Sequence, residues 1–172
     1  MYDVVALGEL LIDFTTQSAD PDGYPTMAAH PGGAPANFLA AIAKFGGKAA
    51  LLGKVGTDTF GKLLTDTLRK AGIETKGLVA SDEVFTTLAF VTLDENGDRE
   101  FAFARKPGAD TQLRFDELDL SVIDETRVFH FGTLSLTGEP ARTTTYRAVE
   151  YAKAHGKLVT FDPNGVLTTP TW

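Results

Sequence analysis

Four short apolar stretches punctuate the chain, and each runs into a glycine or an acid. They are Val4 to Leu7 before Gly8, Ala49 to Val55 before Gly56, Val128 to Phe131 before Gly132, and Leu158 to Phe161 before Asp162. Apolar stretches of this length, bounded by turn residues, predict buried strands. Helical spacing fills the gaps between them. Phe38, Ala41, Ile42 and Phe45 follow Pro35, a residue that fits the first helical position, and the pattern stops at Gly46-Gly47. Phe60, Leu63, Leu64 and Leu68 follow Asp58, a capping residue, and stop at Gly72. Pro140 to His155 predicts a further helix ended by Gly156. Alternating strands and helices predict a parallel sheet covered by helices.

Several segments break that rhythm. Thr15 to His30 is polar and carries Pro21, Gly23 and Pro25, which predicts a loop or an edge strand. Pro31-Gly32-Gly33 reads as a turn. Thr86 to Leu93 and Arg99 to Arg105 flank Asp94-Glu95-Asn96-Gly97-Asp98, and Asn-Gly in that setting predicts a hairpin. Phe101 and Phe103 sit two apart and so share one face of its second strand. The hairpin is expected to stand off the main sheet. Leu113 to Leu120 is acidic and predicts loop and short helix.

Composition narrows the function classes. The chain has 172 residues, enough for one domain, with 43% hydrophobic and 23% charged residues. The formal charge is −7 with no Lys/Arg run, which argues against nucleic acid as a partner. There is no cysteine, so disulfides, thiol nucleophiles and thiolate zinc sites are excluded. No apolar run approaches the roughly 20 residues of a membrane helix, and the N-terminus does not read as a signal peptide. A cytoplasmic location without membrane contact is expected.

Candidate chemistry gathers at strand ends, where open α/β sheets bind ligands. Asp13 follows the first strand region. Gly32 and Gly33 remove side chains at a helix start, and Asn37 lies in the first turn. Asp162 and Asn164 follow the fourth strand. A carboxylate beside an amide side chain and bare backbone suits a polyhydroxylated ligand. The same spacing also suits a plain Gly-Gly turn with a capping Asn, and spacing alone does not choose. Gly56-Thr57-Asp58-Thr59-Phe60-Gly61-Lys62 matches the outline of a phosphate loop, but Leu63 stands where a hydroxyl is required, and Asp58 would put negative charge in the cradle. Lys106-Pro107-Gly108-Ala109-Asp110 resembles an anion loop but follows the hairpin instead of a core strand. Arg105 could reach across a cleft to a ligand, or could be a surface cation among acids. His30, His130 and His155 have no metal-pair spacing.

The run Gly32-Gly33-Ala34-Pro35-Ala36-Asn37, then Gly46, Val55-Gly56-Thr57-Asp58 and Gly61, resembles the first signature of the PfkB/ribokinase carbohydrate kinases. Gly8-Glu9-Leu10-Leu11-Ile12-Asp13 is also similar to that family. Arg105 to Asp110 and Phe161-Asp162-Pro163-Asn164 look most like its fructokinase branch. The resemblance implies a Rossmann-like ribokinase fold, a parallel sheet flanked by helices with a small β lid, here truncated, with lid strands within about 15–30 and 84–106. It implies sugar binding by Asp13, Gly32, Gly33 and Asn37, with Phe103 and Arg105 approaching from the lid and Glu139 a weaker addition. It places Asp162 and Asn164 near the phosphates of ATP and the magnesium. The implied reaction is ATP-dependent phosphorylation of a sugar hydroxyl, with fructose favoured and a homodimer formed through the lid. The family base belongs to a Gly-Ala-Gly-Asp motif that this sequence does not contain. The expectation is therefore the N-terminal part of a kinase domain (1–172), with no catalytic residue of its own, truncated or frameshifted, and inactive alone. Two alternatives stay open: a non-catalytic sugar-binding or regulatory module, and a phosphate-loop nucleotidase.

Overall fold

The computed structural model describes residues 1–93 and 99–163. The expected Asn-Gly turn at 94–98, Asn164 and the segment 165–172 lie outside the described residues. The strands of the main sheet are β1 (Tyr2–Leu7), β4 (Ala49–Gly56), β5 (Ile73–Glu74), β6 (Leu78–Ser81), β9 (Thr126–Gly132) and β10 (Leu158–Asp162). Their order is β10-β9-β1-β4-β5, with β6 also pairing β4, and every pairing is parallel. The four apolar stretches of the sequence are thus the sheet's principal strands. The short β5 and β6 had no sequence signal, because two and four residues are too few to show a period.

Period-two alternation divides the core into two layers. Val4, Ala6, Ala49 and Leu51 face one cluster with Leu39, Leu64 and Leu68. Val5, Leu7, Ala50 and Leu52 face the other, with Val122, Ile123, Phe129, Ala148 and Ala152. Helices α1 (Ala34–Lys44) and α2 (Thr59–Lys70) cover the first face, and α3 (Leu120–Asp124) and α4 (Ala141–Ala154) the second. A strand buried on both faces needs apolar residues at consecutive positions, which is why these stretches read as continuous. Truncating a fully buried side chain such as Leu51 is expected to cost about 2–5 kcal/mol. A turn at 109–112 leads into the acidic segment, which has a turn at 115–117, and the short helix begins only at Leu120. Lys54, buried on β4, ties this segment down through Gln112 O (3.1 Å) and Glu117 (2.6 Å).

A second sheet stands on the first. Its strands are β2 (Leu11–Ala19), β3 (Pro25–Gly32), β7 (Leu88–Leu93) and β8 (Arg99–Ala104), in the order β3-β2-β7-β8. Here Pro31 and Gly32 differ from the expected turn: they complete β3, paired with Ile12 and Leu11. The polar composition of 15–30 reflects a strand pair with little core to face, so no alternation marked it. One face of this sheet is anchored by Phe14, which stacks on Phe90 (5.3 Å) and meets Phe60 of α2 edge-on (5.6 Å). The other face carries Asp13, Thr15, Val91, Phe101 and Phe103, as the register requires. No helix of the described residues is long and apolar enough to cross a membrane.

Candidate functional site

The second sheet brings Asp13 and Phe103 onto one surface. Asp13 pairs with Ala89, and Ala89 with Phe103, so the two side chains project the same way two strand spacings, about 10 Å, apart. Phe101 and Phe103 stack at 6.3 Å and stay about half exposed. Asp13 is half-buried, and that desolvation pushes its carboxyl above the usual range, against the opposing pull of His30. A β-carbon on Gly32 would collide with Asp13 Oδ2, so the carboxylate lies against bare backbone. Gly32 also lines a narrow groove with Asn37, Leu10 and Leu64. Asn37 is exposed on α1 and shares this groove with Gly32, whereas Asp13 lines a different depression with Thr15, Val91 and Phe101.

A second depression joins Phe103, Arg105, Thr137 and Glu139. Three of the residues implied by the resemblance therefore share one cleft, while Asp13 and Phe101 line an adjoining one. Arg105 is not a loose surface cation. Its side chain is 11% exposed and forms a forked ion pair with Asp110, at 2.8 Å from Nε and 2.6 Å from Nη2. Further bonds run to Leu134 O (3.0 Å) and Thr137 Oγ1 (2.8 Å). Asp110, in the segment that looked like an anion loop, is buried and also accepts from Thr87 Oγ1. The missed signal was an acid five residues after the arginine. Glu139 is exposed and accepts from Thr143 N (3.1 Å), capping α4.

Glu9 is a second residue that sequence reasoning passed over. It is 3% exposed, its Oε1 accepts from Ala34 N at 3.0 Å, and its Oε2 has no hydrogen-bond partner among the described residues. Burial raises its carboxyl to about 7; bonds from backbone amides oppose the rise and the nearby Asp110 charge adds to it. Gly33, at φ 114°, could not carry a side chain here, because its β-carbon would strike Glu9 O.

At the start of each of the three long helices a carboxylate accepts from at least one backbone amide. Glu9 bonds at α1 and Glu139 at α4. At α2, Asp58 Oδ1 accepts from Phe60 N (2.9 Å) and Gly61 N (3.1 Å), while Oδ2 accepts from Thr86 N (2.8 Å) and Oγ1 (2.9 Å). Burial works against ionising Asp58, but these bonds outweigh it and hold the carboxyl below its usual range. A phosphate at residues 56–62 would have to displace this carboxylate, so the phosphate-loop outline is a capped turn. Among the described residues no group of three or more His, Cys, Asp or Glu could hold a metal ion. Asp162 is exposed at the end of β10, where Thr133 Oγ1 meets its carbonyl at 3.4 Å.

The profile of the pfkB family carbohydrate kinases matches residues 1–172. The chain belongs to this family. It is 45% identical over 171 residues to probable fructokinase-3 of Arabidopsis thaliana, covering 98% of this chain and 49% of that protein. Fructokinase-1 of Zea mays is 46% identical over 163 residues, covering 94% and 50%. Among solved structures, fructokinase from Xylella fastidiosa superposes with a TM-score of 0.90 at 34% identity, covering 95% of this chain and 51% of that one. The same enzyme with bound ATP gives 0.87 at 34% identity, covering 95% and 49%. The parallel sheet with flanking helices is therefore the ribokinase-like fold, and this pfkB chain spans about half the length of the relatives it matches.

Proposed function

We propose that this chain supplies the sugar-binding side of an ATP-dependent sugar kinase, with fructose the favoured acceptor and ATP with magnesium the phosphoryl donor. The observation that carries this reading is Asp13, a half-buried carboxylate on the open lid face, laid against the side-chain-free Gly32. Such a carboxylate can accept hydrogens from two neighbouring hydroxyls, and bare backbone lets the sugar ring approach closely. In this reading Gly33 and Asn37 add to the sugar site, Asn37 from the groove it shares with Gly32, while Phe103 and Arg105 approach from the lid and Glu139 lies in the Arg105 cleft. Asp162, with Asn164, is assigned to the phosphate and magnesium side. The carboxylates on all three long-helix starts favour a neutral hydroxylated ligand over phosphate at those positions. The reading further includes a cytoplasmic location, no nucleic-acid partner, and a homodimer contact on the lid, where Phe101 and Phe103 are exposed.

No Gly-Ala-Gly-Asp motif is present in the sequence, so the chain by itself is expected to bind sugar without turning it over. Calorimetric titration with fructose, ribose and ATP in turn tests this. Fructose should bind, and Asp13→Ala should remove the heat of binding while leaving the far-UV spectrum unchanged. A folded wild-type chain that binds no sugar, or an Asp13→Ala variant that binds fructose unchanged, overturns the proposal.

A further inference from the structure

Arg105 has five N–H groups, and four point at the protein itself. Nε bonds Asp110, Nη2 bonds Asp110 and Leu134 O, and Nη1 bonds Thr137 Oγ1. Among the described residues, one N–H on Nη1 is left over, on the cleft that Phe103 and Glu139 also line. The guanidinium is thus locked at the base of the lid, where β8 ends. Asp110 is itself held: its side chain is 2% exposed and it accepts from Thr87, the residue before β7. The positive charge facing the cleft is matched from behind by a buried negative one. The remaining charged residues of the cleft, Lys106 and Glu139, are both exposed and of opposite sign. The buried carboxyl of Glu9 lies close enough to feel both Asp110 and Arg105.

We propose that Asp110 is a specificity-determining positioning residue, which turns Arg105 into a fixed hydrogen-bond donor without net charge and so makes the cleft select neutral polyols over anionic sugars. This inference rests on the sugar-binding reading above. A neutral hydroxyl gains a directed N–H and loses little hydration on entry. A carboxylate must give up much more hydration, and it meets a cation whose field is already cancelled at close range. An unmatched guanidinium would reverse the preference, because arginine suits planar anions. Thr87 holds the carboxylate in place from the other side, so the donor direction is set by the lid's own base.

The test is calorimetric titration of the whole chain with fructose and with gluconate at low salt. The wild type should bind fructose at least about tenfold more tightly than gluconate. Asp110→Asn keeps the shape and removes the charge. It should weaken fructose about tenfold through loss of the fork, and tighten gluconate several-fold. Asp110→Asn combined with Arg105→Gln should lose the gluconate gain. A purely structural role would weaken both ligands together and leave their ratio unchanged; that result in a folded variant overturns the proposal. So does a wild type that binds gluconate as tightly as fructose, a measurement that decides even if Asp110→Asn does not fold. A wild type that binds neither ligand overturns the sugar-binding reading, and the proposal with it, whereas an unchanged ratio overturns the proposal alone.

Discussion

Glu9→Gln is expected to stabilise the chain above neutral pH and to leave it nearly unchanged in mild acid. The carboxyl is 3% exposed, one of its oxygens has no partner among the described residues, and its folded-state value is raised from 4.5 to about 7. Below about pH 4.5 it is protonated in both the folded and the unfolded chain, and it contributes no pH dependence. Between 4.5 and 7 the folded chain holds a proton that the unfolded chain has released, so stability falls as pH rises. Above 7 the loss is complete, because the folded chain must carry a buried carboxylate. The difference between the two values corresponds to about 3 kcal/mol. Glutamine keeps an oxygen for Ala34 N and removes the charge, and its amide nitrogen replaces an oxygen that had no partner anyway. Urea unfolding of both proteins from pH 4.5 to 8.5 checks this. The difference curve should rise from near zero to about 3 kcal/mol in favour of the variant, or roughly 6–12 °C in Tm for a chain of this size. Parallel profiles would refute the reasoning, since they would mean that Glu9 is solvated or paired when ionised.

Asp58→Ala removes a helix cap and also strips Thr86 N and its hydroxyl of their acceptor. A loss of about 3 kcal/mol is expected, seen as a lower urea midpoint at constant slope, with Asp58→Asn in between because its oxygen can still cap α2. Since the Asp58 carboxyl is held below its usual range, its contribution is present above about pH 4 and declines as the pH falls towards the folded-state value. Gly32→Ala drives a β-carbon into Asp13. The carboxylate is the movable partner, so stability should fall by only about 1 kcal/mol while fructose affinity in calorimetry drops about tenfold.

The two sheets were legible to different degrees. The strands at 4–7, 49–55, 128–131 and 158–161 announced themselves because a parallel strand buried on both faces needs uninterrupted apolar residues. Helix ends were equally plain: α2 and α4 stop at Gly72 and Gly156, where φ is 76° and 70°. The ordered glycine motifs carried the family. The polar strands at 11–32 left no such mark, since the sheet they build has one face largely open and little core to face.

Candidate residues in the sequence were a set of positions without pairings. Asp13, Gly32 and Asn37 could be picked out by residue type at strand ends and a helix start, yet only the antiparallel register of β2 and β3 lays Gly32 against Asp13. Arg105 could be named but not distinguished from a surface cation; its meaning depends on Asp110 and on Leu134 and Thr137, brought to it from two segments. Asp58 was legible as a cap and Glu9 only as part of a motif; burial makes Glu9 a weak acid, while hydrogen bonds from Thr86, Gly61 and Phe60 overcome burial and hold Asp58 below its usual range. Hydrophobic period and turn chemistry are local properties, so the sequence by itself determined the core strands, the helix ends and the family. Desolvation and the partners of a charge depend on groups distant along the chain, so only the tertiary structure decided that Glu9 and Glu139 also bond helix starts, which acid steadies an arginine, and which is left facing the cleft.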